Sequence, residues 1–263
     1  MQLQRGSAPP PEIDDPDLPP EQTGDGDGAR MSLWDHLDEL RSRLFKAVLA
    51  LVCGSLIGVL FATPILEFLK APYGKAFLVI DPTGGVISYF RVALLAGGIL
   101  SIPVITYQVL MFVLPGLTKR ETRYLMFSIP PVTVLFLIGV LFAWFILIPP
   151  ALTFLVNFQP DIFQAQWTAD HYLGFVTALL FWMGVAFETP LIFFVLSILG
   201  FVTPRPLIKN WRIAVIGSAI AAAVITPTVD PVNMMLVMGP LMALYLLSIG
   251  LVSIGMRFNR PEG

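Results

Sequence analysis

HLDELRSRLFKAVLALVCGSLIGVLFA, His36 to Ala62, gathers Asp38, Glu39, Arg41, Arg43 and Lys46 at its start and then runs without a charge to its end. From Leu44 onward it is long enough to cross a bilayer, whose hydrocarbon core takes about 20 apolar residues as helix. Five more stretches repeat that composition: Ile87 to Leu114, Tyr124 to Leu152, His171 to Leu199, Trp211 to Ile225 and Met234 to Met256. Hydrophobic residues make up 56% of the 263, and the mean hydropathy is +0.78. A lone strand cannot satisfy its backbone in lipid, and no two-residue alternation runs through these segments. The expected fold class is therefore an all-α integral membrane protein of six transmembrane helices, a single domain with no room for a sizeable soluble one.

Lysines and arginines set the expected orientation. Thirteen of the sixteen lie before span 1, in the 2/3 and 4/5 loops, at the edges of the spans beside them, or after span 6, leaving only Lys70, Lys75 and Arg91 on the other side. Both termini are expected in the cytoplasm. The net charge of −2 says little about partners, because much of the acid sits in the stretch Met1 to Arg30. That stretch is rich in Pro, Gly, Asp and Glu, has no aromatic residue, and is expected to be a disordered tail. It lacks the cationic start and apolar centre of a signal peptide, so span 1 must direct its own insertion, and Met31 is an alternative start to Met1. Cys53, the lone cysteine, lies inside span 1, where it excludes an intramolecular disulfide and is expected to pack.

Pro103, Pro130, Pro131, Pro149, Pro150, Pro190 and Pro240 fall within the spans, and each removes a backbone donor and favours a bend. Helices bent in this way enclose a concavity. Span 5 is short: Asn210 to Thr226 would reach only about 25 Å at 1.5 Å per residue, less than the ~30 Å core.

Ahead of span 1, Ser32 and Asp35 have capping-box spacing, and Leu33, Leu37, Leu40 and Leu44 share one helical face. An amphipathic helix is expected along the cytoplasmic interface, running on into the membrane. Glu39 and Arg43 form an i, i+4 pair, which by itself is worth only about 0.2 to 0.5 kcal/mol. The 2/3 loop GLTKRETR, Gly116 to Arg123, places Glu121 on the same side among three cations. Two carboxylates at one edge of a concave bundle can each take a guanidinium in two parallel hydrogen bonds, which lysine cannot offer. Such a site would read a pair of arginines.

With HLDELRSRL (His36 to Leu44), PVITYQVLMFVLPGLTKRE (Pro103 to Glu121), GVAFETP (Gly184 to Pro190) and TPTVDP (Thr226 to Pro231) in that order, residues 31–256 resemble the TatC family, receptor subunits of the twin-arginine protein translocase. The resemblance implies a cupped-hand bundle in the cell's inner membrane, with no catalysis, no cofactor and no metal. It implies recognition of folded cargo through a signal peptide with consecutive arginines, transport driven by the protonmotive force, partner subunits of the TatA and TatB type, and self-association. Nucleic acid is not an expected partner. The domain organisation expected is a tail 1–30, a membrane domain 31–256 and a short cytoplasmic tail 257–263.

Position by position, the resemblance makes Glu39 and Glu121 the acids of the twin-arginine site, with Arg41 and Arg43 in the same patch. Pro72 in the first outer loop and Phe112 near the cytoplasmic end of span 2 match other functional positions. Glu188 matches the family's polar residue in span 4, and Asp230 the acid of the last outer turn. That turn departs from the common TPPD form: TPTVD has an extra residue, and Met234 stands where a glutamine is usual. Thr226 and Asn233 are the residues left to make the partner contact expected there.

Glu188 lies deep in span 4, where a carboxylate must be neutral, hydrated or paired. Gln108 in span 2 is a candidate companion. Either Glu188 ties two helices together, or it is a polar spot inside the concavity. A proton-coupled small-solute transporter would need more intramembrane ionisable groups and usually repeats. An intramembrane enzyme would need a nucleophile with its base, or metal ligands, yet His36 lies outside the membrane and His171 at its edge. A membrane assembly scaffold is the alternative that composition does not exclude.

Overall fold

A computed structural model describes residues 33–74, 76–113, 119–163, 165–228 and 230–258, with side chains described within 36–112 and 129–256. The helices are α1 (Leu33–Lys70), α2 (Gly84–Val113), α3 (Lys119–Phe142), α4 (Ile148–Val156), α5 (Ala169–Ile198), α6 (Pro204–Lys209), α7 (Trp211–Ile225) and α8 (Pro231–Phe258). α3 and α4 are one span, joined through a π-helical turn at Ala143–Leu147. Among the described residues five spans are long and apolar enough to cross a membrane, and a further, shorter apolar helix is the 15-residue α7. At 1.5 Å per residue α7 reaches about 22 Å, so its shortness is a property of the helix itself.

Helix α1 is a single 38-residue rod. It runs unbroken from the amphipathic segment into the apolar one, and on through Pro64 well beyond Ala62. One face is exposed apolar surface, with Phe45, Leu49, Val52, Leu56 and Leu60 at i, i+3 and i+4 spacing, as a bilayer would cover. Cys53 stands exposed beside that face and does not pack. The opposite face lies tight on α2. A Cβ on Gly54 would come within 2.6 Å of the Gly97 carbonyl oxygen, so only glycine permits the approach. Ser101 Oγ then donates across the seam to the Ala50 carbonyl at 2.8 Å, and Tyr89 to that of Val59 at 2.8 Å. Close backbone contact through small residues, with polar groups bonded across it, is how helices associate where lipid removes the hydrophobic drive.

The hub is α5, which meets α2, α3, α7 and α8. Its Leu173, Val176, Leu179 and Met183 are buried at the centre of the core with Val92, Leu147, Ile148 and Val237. The π turn has a simple cause. Pro149 and Pro150 lack the N–H groups that Phe145 and Ile146 carbonyls would take in an α-helix, and the ladder shifts so that Ile148 N–H donates to Ala143 O.

A second departure from the loop expected between spans 4 and 5 is α6. Thr203 is extended, Pro204 begins the helix where its missing donor costs nothing, and Tyr245 of α8 donates to the Leu207 carbonyl at 2.7 Å.

Candidate functional site

At the end of the bundle where α1 begins and α2 finishes, five side chains meet: His36, Glu39 and Arg43 of α1 with Gln108 and Phe112 of α2. Gly97, Ser101, Gln108 and Phe112 fall on the stripe of α2 that faces α1, spaced by four, seven and four residues. Phe112 stacks on His36, and Gln108 is buried opposite Arg43, whose Nη1 donates to Gln108 Oε1 at 3.3 Å. One turn back, Glu39 Oε1 accepts from Arg43 Nε at 3.3 Å and from Nη2 at 3.1 Å. Glu39 and Arg43 side chains each keep 20% of their exposure. The second carboxylate oxygen, Glu39 Oε2, is buried and has no hydrogen-bond partner among the described residues. An uncompensated buried acceptor costs about 1 to 3 kcal/mol, more when charged.

The expected patch is thus assembled in part. Arg43 is in it, while Arg41, two residues before it and so on another face of α1, is exposed. Glu121 lies in the first turn of α3, and its side chain is outside the described residues. His36 and Gln108 also belong to the cluster, Gln108 as the companion of Arg43 rather than of Glu188, and the i, i+4 stripe shared by Gln108 and Phe112 is the signal for it in the sequence.

Glu188 lies elsewhere. Along α5, Gly174, Thr177, Phe181, Val185, Glu188 and Leu191 form one stripe, and with Gly98, Ile102, Ile105 and Val109 of α2 they line a concavity of about 870 Å³. Glu188 Oε1 is buried in that wall with no hydrogen-bond partner among the described residues. Gln108 is not its companion. On a helix of 3.6 residues per turn it points roughly a quarter turn away from the groove-facing residues, and Arg43 takes its amide oxygen.

At the opposite end, Pro72 is exposed in the turn after α1. The adjoining Tyr73 stacks with Phe77 and Trp167, and Leu78 bridges to Thr168, so the loops after α1 and α4 are joined.

The turn between α7 and α8 is built by caps. Thr226 is 4% exposed and its hydroxyl donates to the Ala222 carbonyl at 2.7 Å. Asp230 precedes α8, accepting from Asn233 N–H at 2.7 Å on Oδ1 and from Asn233 Nδ2 at 2.9 Å on Oδ2. Burial pushes the Asp230 carboxyl up, but the hydrogen bonds of the turn, that of the Asn233 backbone N–H foremost, outweigh it and hold the group below the usual carboxylate value. Asn233 is 1% exposed. Neither Thr226 nor Asn233 is presented to a partner's surface, because both face inward to close their own helix ends.

A model of the TatC family, the Sec-independent protein translocase protein, matches residues 35–240. The chain belongs to the TatC family. It is 39% identical over 227 residues to the Sec-independent protein translocase protein TatC of Synechocystis sp., covering 86% of this chain and 89% of that one. It is 38% identical to the chloroplastic TATC of Oryza sativa subsp. japonica, covering 84% of this chain but only 62% of that longer protein. A crystal structure of the twin-arginine translocase receptor TatC superposes with a TM-score of 0.75 at 33% identity, covering 84% of this chain and all of that one. The chain is accordingly a multi-pass helical membrane protein of a protein translocase, a non-enzymatic family.

Proposed function

We propose that the chain is the receptor of a twin-arginine translocation system in the cell's inner membrane. It binds the signal peptides of folded proteins at the end of α1 and α2, with α7 as a sixth, thinned span and both termini in the cytoplasm. The observation that carries this reading is the Glu39 carboxylate, half-buried and with one oxygen unused among the described residues. A peptide guanidinium approaching that oxygen supplies a charged donor, and Arg43, anchored by Gln108, holds the carboxylate in place for it. Glu121, from the first turn of α3, supplies the second acceptor for the second arginine. Arg41, exposed on another face of α1, adds its charge to the same end of the bundle.

Cargo moves under the protonmotive force with single-span subunits of the TatA and TatB type and with further copies of the chain. Pro72 and Glu188 serve that assembly at the outer turn and in the concavity, whereas Thr226 and Asp230 shape the last outer turn. Residues 31–256 carry the activity, flanked by the tails 1–30 and 257–263.

The deciding measurement is affinity of the purified full chain for a signal peptide with Arg-Arg against one with Lys-Lys. Glu39→Ala and Glu121→Ala should each weaken the Arg-Arg peptide by about 1.5 to 3 kcal/mol, roughly tenfold or more, without unfolding the bundle. Equal affinity for both peptides, unmoved by either substitution, would leave a membrane scaffold as the better reading.

A further inference from the structure

Arg91 is a cation seven residues inside α2, within a segment apolar enough to cross the membrane. Its Nη1 donates to the Asp170 backbone carbonyl at 2.8 Å and lies 2.8 Å from Asp170 Oδ1. The guanidinium rests on α5 at Gly174, with Nη1 only 2.8 Å from where a Cβ there would lie. A guanidinium has five N–H donors in a planar fork. Nη1 supplies only two of them, and Nε and Nη2 have no partner among the described residues. The side chain keeps 34% of its exposure.

Arg91 also stands between two apolar hollows. On one side is the α2/α5 concavity of about 870 Å³, and on the other a groove of about 380 Å³ lined by Ser55, Val59, Ile87, Phe90 and Leu94. Glu188 lies fourteen residues beyond Gly174 on α5, about 21 Å along the helix, so Asp170 is the acid that faces Arg91.

We propose that Arg91 anchors the phosphate of an anionic phospholipid, whose two acyl chains lie in the two hollows on either side of α2. The chemistry matches part by part. A phosphodiester accepts two parallel hydrogen bonds from the Nε and Nη2 edge that Asp170 leaves free. Asp170 sits at the start of α5, so the phosphate is at headgroup depth while the hollows run into the hydrocarbon. A free phosphate would use the fork but not the hollows, and a zwitterionic lipid would fill the hollows with less attraction to the fork.

The test uses the full chain reconstituted in phosphatidylethanolamine bilayers with a minor fraction of phosphatidylglycerol, then extracted in mild detergent, with retained lipid counted by mass spectrometry. The wild type should retain phosphatidylglycerol about fivefold above the fraction supplied, the ratio for roughly 1 kcal/mol of one cation's attraction to anionic lipid. Arg91→Gln should retain the supplied fraction only. Asp170→Asn, which removes the competing carboxylate, should keep or raise the enrichment. Wild-type enrichment in Arg91→Gln would overturn the proposal. So would equal loss in both variants, which marks the pair as a strut between α2 and α5. Inorganic phosphate in the extraction buffer should leave retention unchanged, and displacement by it would assign the site to free anions instead. Should Arg91→Gln fail to fold, Asp170→Asn decides alone: it leaves the bond to the backbone carbonyl of residue 170 in place, so enrichment kept or raised supports the anchor and enrichment lost overturns it.

Discussion

His36 and Phe112 stack with ring centroids 4.6 Å apart and planes 19° from parallel, one ring from the first turns of α1 and the other from the last turn of α2. The contact pins α1 to α2 one helical turn from Glu39, and so fixes where the carboxylate points. Offset-stacked aromatic pairs contribute about 0.5 to 1.5 kcal/mol beyond the area they bury. Phe112→Leu keeps most of the apolar surface and loses the stack. Affinity for a twin-arginine peptide should fall about twofold to tenfold while the melting temperature moves little, and Phe112→Trp should restore binding. Binding at wild-type strength in the leucine variant would remove the stack from the site.

How much of this was legible beforehand follows from which interactions are local. The six apolar stretches and the Glu39–Arg43 pair are statements about single helices, where composition and i, i+4 spacing suffice. The partner of Gln108 depends on the register of α1 against α2. That register is set by the fit of Gly54 onto Gly97, which no periodicity within one helix reveals. In sequence α6 reads as loop because Pro204 and Pro206 break helices in general, yet a proline at the first helical position favours one. The inward turn of Thr226 and Asn233 was partly readable, since an acid three residues before Asn233 has the spacing of a helix cap.

Asp230 gives a prediction with a definite sign in pH. Its folded carboxyl titrates below the ordinary value of about 3.9, so its contribution to stability is fully present above that value and is lost as pH falls through the folded value. Asp230→Ala removes the cap of α8 and should cost about 0.5 to 2 kcal/mol at neutral pH. The difference in melting temperature between wild type and variant should shrink as the buffer is taken below about pH 4. A difference that stays constant through that range would mean that the charge on Asp230 contributes nothing.

Glu188 separates a structural carboxylate from one that serves the concavity. Had it tied α5 to a neighbour, Glu188→Leu would leave an orphaned partner and loosen the bundle, while Glu188→Gln would preserve the bond. Among the described residues Oε1 has no such partner, and Gln108 is committed to Arg43. Glu188→Leu is therefore expected to leave the melting temperature of the detergent-solubilised protein unchanged or slightly raised, because an unbonded polar atom is replaced by apolar surface in an apolar wall. Export of a twin-arginine reporter should nevertheless fall, since the groove loses the one ionisable group that α5 presents to it between Gly174 and Leu191, and with it the water that group draws in. Glu188→Gln, polar but uncharged, should retain part of the export. Both readouts have to be taken on the same variants. A leucine variant that loses stability and export in parallel would return Glu188 to a structural role, and a stable leucine variant with normal export would leave it with none.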